Sequence, residues 1–219
     1  MPGDPALYPV ALKVAGQPCL VVGGGRVAAG KVTGLVRCGA AVTVVAPEIG
    51  DAVSALAGSS AATGPGSVAM ERRPYRDGEA AGYRLVVTAT GSAEVDAAVM
   101  ADAEAAGVWV NSVDDPDHST FHLPSVHRDG PVVVAVSTGG ASPALSIWLR
   151  RRAGEVLGTD LGTLAAVLEE ARRRLQAAGR PTDSVDWQAL LDGPLPQLVA
   201  DGRLDDARRL LAEATAGPP

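Results

Sequence analysis

Three consecutive glycines, Gly23-Gly24-Gly25, followed by Arg26-Val27-Ala28, spell G-x-G-x-x-A between an apolar run ending at Val22 and an amphipathic stretch starting at Val27. That pattern suits a pyrophosphate. Gly23 permits a tight turn, Gly25 lets backbone approach the phosphates, and the small Ala28 lets a helix pack closely on its strand. The first-turn N–H groups of that helix, with Arg26 and Val27 at its start, then face the anion. The motif alone is weak, and a strand before with a helix after strengthens it. The competing reading is a glycine turn with no ligand. The same stretch also approaches a P-loop, Gly25-x-x-x-x-Gly30-Lys31, but Val32 follows where a Mg²⁺-binding hydroxyl belongs. Thr33 points about 100° further round a helix. Nucleotide hydrolysis is not expected.

A dinucleotide site also wants an acid near the end of the second strand, to hold ribose hydroxyls. Here that strand ends Val45-Ala46-Pro47-Glu48. Glu48 is either that acid or an ordinary first-turn carboxylate of the next helix. A 2′-phosphate would want a basic residue at this place, and none is present in the sequence there, so NAD is favoured over NADP. The cofactor-binding candidates are Gly23, Gly25, Arg26, Val27, Pro47 and Glu48, joined by Thr88 and Thr90 after a later strand. No Tyr-x-x-x-Lys proton relay exists: Tyr75 is followed four residues on by Glu79, and Tyr83 by Val87. His118 and His122 are four apart, but in an extended chain they would stand about 13 Å apart, too far to share a metal. With His127 they read as structural or solvent-facing, and no metal ligand set is expected.

The elements that must hold these residues alternate in kind. Cys19–Val22, Ala41–Ala46, Val68–Arg72, Leu85–Ala89 and Val108–Asn111 read as strands, with helices over Val27–Arg37, Glu48–Leu56 and Ser92–Ala106 and a loop over Gly58–Ser67. Strands alternating with helices imply right-handed crossovers and a doubly wound parallel sheet. After Asn111 the pattern changes. Ser119–Val126 and Val132–Ser137 read as an antiparallel hairpin around the four-residue turn Arg128-Asp129-Gly130-Pro131. Ser142-Pro143 is an N-cap followed by proline at the first helical position. Beyond it, Leu161, Leu164, Leu168, Ala171 and Leu175 form one apolar stripe, and Ser184–Leu191 and Leu204–Ala214 read as shorter helices.

Composition narrows the class. The 219 residues carry 19 Lys+Arg against 25 Asp+Glu, a formal charge of −6, which gives no support for non-specific nucleic-acid binding. At 47% apolar the chain is not of the disordered type, and at this length roughly 70% of its surface can be buried. Only 3% of residues are aromatic, so the core is aliphatic and alanine-rich. Cys19 and Cys38 are too few for a disulfide framework and suit a cytoplasmic location. No run of 18 apolar residues and no signal-peptide pattern occurs, so no membrane association is expected. Lys13 and Lys31 are the only lysines; the arginines suit bidentate carboxylate recognition.

Taken together, Tyr8-Pro-Val-Ala-Leu-Lys-Val, Cys19-Leu-Val-Val-Gly-Gly-Gly-Arg-Val-Ala, Val42-Thr-Val-Val-Ala-Pro, Asn111-Ser-Val-Asp-Asp-Pro, Phe121-His-Leu-Pro-Ser and Val134-Ala-Val-Ser-Thr-Gly-Gly-Ala-Ser-Pro resemble the precorrin-2 dehydrogenase / sirohydrochlorin ferrochelatase family, which includes the N-terminal half of siroheme synthase. The resemblance runs over residues 8 to 155. It implies a Rossmann-type NAD-binding domain (1–113), a β-hairpin dimerisation module (114–150), a helical C-terminal domain (151–219) and a homodimer. It also implies oxidation of precorrin-2 to sirohydrochlorin with NAD⁺, and in some members insertion of Fe²⁺. The methyltransferase half lies outside this sequence, so precorrin-2 would come from a separate protein.

By the same resemblance the family's essential aspartate is Asp114, and its Ser-Ser-Gly-Gly turn is Ser137-Thr138-Gly139-Gly140, with threonine for the second serine. Asn111, Ser137, Thr138, Gly139 and Arg150 are the substrate-binding candidates. A tetrapyrrole rich in carboxylates suits arginines and backbone N–H donors. Arg150, Arg151 and Arg152 span about 200° of a helix, so no more than two face one site. Asp114 would accept a proton as hydride leaves the substrate, and the like charge of Asp115 would raise its pKa. Two other readings stand beside this one: a non-catalytic NAD-sensing module, and a tetrapyrrole chelatase or carrier that has lost its dehydrogenase activity.

Overall fold

The computed structural model describes residues 7–58, 65–158 and 160–216. The chain divides into two compact units, residues 1–123 and 124–219. The first contains a five-stranded, wholly parallel sheet of β1 (Pro18–Val22), β2 (Ala41–Ala46), β3 (Ser67–Arg72), β4 (Leu85–Thr88) and β5 (Trp109–Ser112). Its order is β3-β2-β1-β4-β5, so the chain winds outward through β2 and β3, then crosses to the other side of β1. The strand order reverses between β1 and β4, and ligands of such sheets bind at the carboxyl edge beside that reversal. Helices α1 (Arg26–Arg37), α2 (Asp51–Gly58) and α3 (Ala93–Ala105) form the crossovers.

Strand periodicity explains why both faces close. Along β1, Cys19 and Val21 enter one cluster with Ala28, Val32 and Val36 of α1 and Val53 of α2. Leu20 and Val22 enter the opposite cluster with Val99, Met100 and Ala103 of α3. Alternate residues of a strand face opposite ways, so a continuous apolar run is what a strand covered on both sides requires. The stretch expected to be helical over Glu48–Leu56 begins its helix only at Asp51. The reason is local: Gly50 N–H bonds the Gly24 carbonyl at 3.0 Å, drawing residues 47–50 across the glycine turn before α2 can start. Of the loop expected over Gly58–Ser67, residues 59–64 lie outside the described residues, and Ser67 belongs to β3.

The second unit opens with the antiparallel hairpin β6 (Ser125–Asp129) and β7 (Val132–Val136). Its turn is two residues rather than four. Gly130 takes φ +53° and Pro131 follows, which matches the primed turns that suit strand twist, so Arg128 and Asp129 stay in the ladder. Residues 119–121, expected in the hairpin, instead run beside β5, where Thr120 N–H bonds the Val110 carbonyl at 2.9 Å.

Helices α4 (Pro143–Leu157), α5 (Leu161–Ala177), α6 (Trp187–Asp192), α7 (Leu195–Ala200) and α8 (Leu204–Ala216) complete the second unit. Val167, Ala171, Leu195, Val199, Ala207 and Leu211 form its core. The stripe on α5 therefore packs as its spacing requires. Helix α7 follows Pro194 as its N-cap and carries Pro196 in its first turn, where no N–H is needed. The segment read as one helix from Ser184 is a 3₁₀ turn (Thr182–Ser184) followed by α6, which Asp186 caps at the Ala189 N–H, 2.9 Å away.

Candidate functional site

The glycine turn follows β1 at the carboxyl edge. Gly23 has φ +124°, and a Cβ there would run into the Ala89 carbonyl; a Cβ on Gly24 would run into the Glu48 carbonyl. Those two glycines are thus fixed by the chain's own backbone. Gly25 differs: an added Cβ meets nothing within 4 Å. It is the N-cap of α1, with no side chain to cap the first-turn N–H groups and no acid in that turn. Uncapped N–H donors and the helix dipole attract an anion, and the open face at Gly25 leaves room for one. Arg26 is exposed and Val27 is 51% exposed beside it, an apolar side chain left without protein cover at this mouth. The P-loop alternative fails here, because the Thr33 hydroxyl turns back to the Ala29 carbonyl at 2.8 Å. Burial lowers the pKa of Lys31.

Pro47 and Glu48 are exposed in the bend after β2, three residues before α2 begins. Glu48 is therefore not a first-turn helix acid; Asp51 holds that position. The parallel register sets Arg72, the last residue of β3, beside Ala46. Arg72 Nη1 donates to the Ile49 carbonyl at 3.0 Å and Nη2 to Ser54 Oγ at 3.4 Å. A basic residue thus does stand next to the loop where the linear sequence shows none. The signal was there as Arg72-Arg73 at the end of the third strand, but only strand pairing reveals its neighbour.

Thr88 is fully buried and its hydroxyl donates to Asp96. Thr90 Oγ1 donates to the same carboxylate at 2.6 Å, and Thr90 and Ser92 bond each other across the start of α3. The two threonine hydroxyls are therefore spent on shaping the β4–α3 turn. Asp96, 4% exposed, was missed because an acid in the first turn of a helix reads as a surface residue. Asp96→Ala should cost about 2–3 kcal/mol, since it strands a buried hydroxyl; urea unfolding showing less than 0.5 kcal/mol would remove the network's importance.

Asp114 follows β5 on the same edge. Its carboxylate is exposed and no side-chain bond ties it among the described residues. The turn that carries it is closely held. Asp115 N–H bonds Ser112 Oγ at 3.1 Å, Ser112 N–H bonds Ser119 Oγ at 3.0 Å, and Ser119 Oγ donates to the Asp115 carbonyl at 3.0 Å. Asn111, 8% exposed, donates from Nδ2 to the Phe121 carbonyl at 3.0 Å, so its amide braces this loop. Strands lie about 4.8 Å apart, which puts the ends of β5 and β1, two strands away, roughly 10 Å from each other.

Asp115 does not stand as a bare like charge beside Asp114, because its carboxylate faces His118 Nδ1 at 2.8 Å. That hydrogen bond holds the Asp115 pKa below the usual carboxylate range and lifts that of His118. The pair supports the turn where Asp115 is ionised and His118 is protonated. Its contribution is lost as pH falls through the lowered Asp115 pKa, and as pH rises through the raised His118 one. Asp115→Asn should bring the His118 midpoint, followed by NMR, down to an ordinary imidazole value; an unmoved midpoint would refute the pairing.

In the second unit, Thr138 Oγ1 accepts the Ser142 N–H and contacts Ser146 Oγ, both at 3.1 Å, while Ser137 Oγ accepts the Gly139 N–H at 3.2 Å. Gly139 and Gly140 take φ +63° and +88°, so the turn swings the chain into the Ser142 cap of α4. Arg150 is half-buried without an ion-pair partner among the described residues, whereas Arg152 pairs with Glu155 at 2.8 Å. His127 packs on Gly154 of α4. Cys19 and Cys38 are not joined in a disulfide, and burial pushes the Cys19 thiol up to about 11. No group of three His, Cys, Asp or Glu side chains assembles among the described residues, and no helix among them is long and apolar enough to cross a membrane.

Residues 10–125 match the family described as "Putative NAD(P)-binding". The chain is 39% identical over 208 residues to a siroheme synthase of Methylococcus capsulatus, covering 94% of this chain and 43% of that protein. It is 36% identical over 219 residues to a siroheme synthase of Gluconacetobacter diazotrophicus, covering 98% and 46%. It spans less than half the length of these curated relatives. Among solved structures, "SirC, precorrin-2 dehydrogenase" superposes with a TM-score of 0.71 at 21% identity, over 96% of this chain and 99% of that one. That likeness establishes a shared fold.

Proposed function

The chain belongs to the NAD(P)-binding family that its residues 10–125 match, and from that premise we propose that it oxidises precorrin-2 to sirohydrochlorin with NAD⁺ as acceptor, within siroheme formation. The observation that carries the reading is an exposed, untied carboxylate, Asp114, on the same sheet edge as an open, uncapped glycine turn. The residues present fit the cofactor. Gly25 and the first turn of α1 would hold the pyrophosphate, with Val27 as apolar cover, and Glu48 would hold the ribose hydroxyls. Bound NAD⁺ supplies the hydride acceptor.

The chain's own part is then proton and substrate handling. The oxidation removes one hydride and one proton from the reduced macrocycle; the proton goes to Asp114 Oδ, whose carboxylate is free to take it. The Ser112–Ser119 network keeps that carboxylate presented. Arg150 and the Ser137-Thr138-Gly139 turn are assigned to the carboxylates of the substrate, the arginine by its bidentate geometry. Insertion of Fe²⁺ into the product, as a substrate, would use the same Asp114 to take the displaced pyrrole protons.

A second copy of the chain is assigned to the bare face of the second unit. No residue of α4 is buried, and Leu145, Trp148, Leu149 and Val156, which lie within about 100° of one another around the helix, are 46%, 50%, 36% and 79% exposed. An apolar face of this kind marks an interface. Sedimentation should show a dimer, and Trp148→Glu a monomer; a monomeric native chain would contradict this.

The test of function is an anaerobic incubation of the protein with precorrin-2 and NAD⁺. NADH and sirohydrochlorin should appear in equal amounts, and a parallel sample with Fe²⁺ should go on to siroheme. Cofactor binding without turnover would favour the NAD-sensing module instead, and siroheme from added sirohydrochlorin without any dehydrogenation would favour the chelatase.

A further inference from the structure

We propose that Arg72 admits a 2′-phosphate to the adenosine end of the cofactor site, so that the chain binds NADP⁺ as well as NAD⁺. This rests on the cofactor reading given above and deepens it. The two arginines that end the third strand region have opposite fates. Arg73 is consumed by Glu71 and Glu79, each at 2.5 Å. Arg72 is exposed, makes no ion pair among the described residues, and uses only two of its five donors, on the Ile49 carbonyl and Ser54.

Its placement is what gives it a role. The β2–β3 register sets Arg72 opposite Ala46, the residue before Pro47-Glu48. Its bond to Ile49 anchors it to the same loop that crosses the glycine turn through Gly50 and Gly24. A guanidinium held by one edge, with its remaining N–H groups free and no carboxylate to neutralise it, is built for a phosphate. Glu48 on the same loop suits a free ribose diol. Glu48 favours the free hydroxyl and would repel a phosphate at the same ribose position, and the charge of Arg72 offsets that repulsion.

The test is the affinity of the intact protein for NAD⁺ and NADP⁺, measured by titration calorimetry with no tetrapyrrole present. For the native chain the two dissociation constants should lie within about tenfold of each other. Arg72→Gln should weaken NADP⁺ by about tenfold or more and move NAD⁺ by less than about threefold, while Arg72→Lys, which keeps the charge, should retain most NADP⁺ affinity. A thermal melt of each variant reports folding. If Arg72→Gln weakens both cofactors equally, the residue only braces the loop and the proposal is overturned. NAD⁺ binding with NADP⁺ more than tenfold weaker in the native chain overturns it too, leaving the cofactor reading intact. Binding of neither overturns both.

Discussion

Asp114→Asn should lower turnover of precorrin-2 by between about 10² and 10⁴-fold, the usual worth of a placed proton acceptor. The expectation is sharp because of what surrounds the residue. Its carboxylate is exposed and bonded to nothing among the described residues, while Ser112, Ser119 and Asn111 hold the turn by their own contacts. Replacing it therefore leaves the loop standing. Stability should change by no more than about 0.5 kcal/mol, as for an ordinary surface substitution, and NAD⁺ affinity should stay within a factor of about two. A variant that turns over at the native rate would mean that the proton leaves by another route.

Gly25→Asp should separate stability from binding. The backbone at this position, φ −83° and ψ −175°, is extended and open to any residue, and an added Cβ meets nothing within 4 Å. Aspartate is also a better N-cap than glycine by a few tenths of a kcal/mol, so the protein should be as stable as the native chain or slightly more so. The new carboxylate would occupy the anion's place and repel it. NAD⁺ affinity should fall by at least about a hundredfold, or about 2.7 kcal/mol. Calorimetric binding within threefold of native, in a variant that melts normally, would show that no pyrophosphate lies on this turn.

The parallel sheet was legible in the sequence because β1, β2 and β4 are short apolar runs that fold into largely buried strands, and because the glycine turn falls where strand yields to helix. The positions of Gly23 and Gly25 followed from the motif. What the motif did not show is that Gly24 is just as constrained, by the Glu48 carbonyl, since that contact joins residues from two different strand ends. Arg72 and Asp96 escaped for the same reason: each matters through a partner that pairing brings near, Ile49 for one and Thr88 for the other. Asn111 looked like a ligand group, yet its amide is turned to the Phe121 carbonyl. Asp115 looked like a charge beside Asp114, and His118 claims it. Side-chain direction within a turn is set by hydrogen bonds between residues three to ten apart, which spacing alone does not rank.

The central claim is that the cofactor crosses the sheet edge from β2 and β3 toward β5. A crystal structure of the NAD⁺ complex tests it directly. It should show the adenosine ribose at Glu48, the pyrophosphate on Gly25 and the first turn of α1, and the nicotinamide over the ends of β4 and β5 with Asp114 facing it. A nicotinamide lying on the β3 side, or a pyrophosphate away from the glycine turn, would contradict the account.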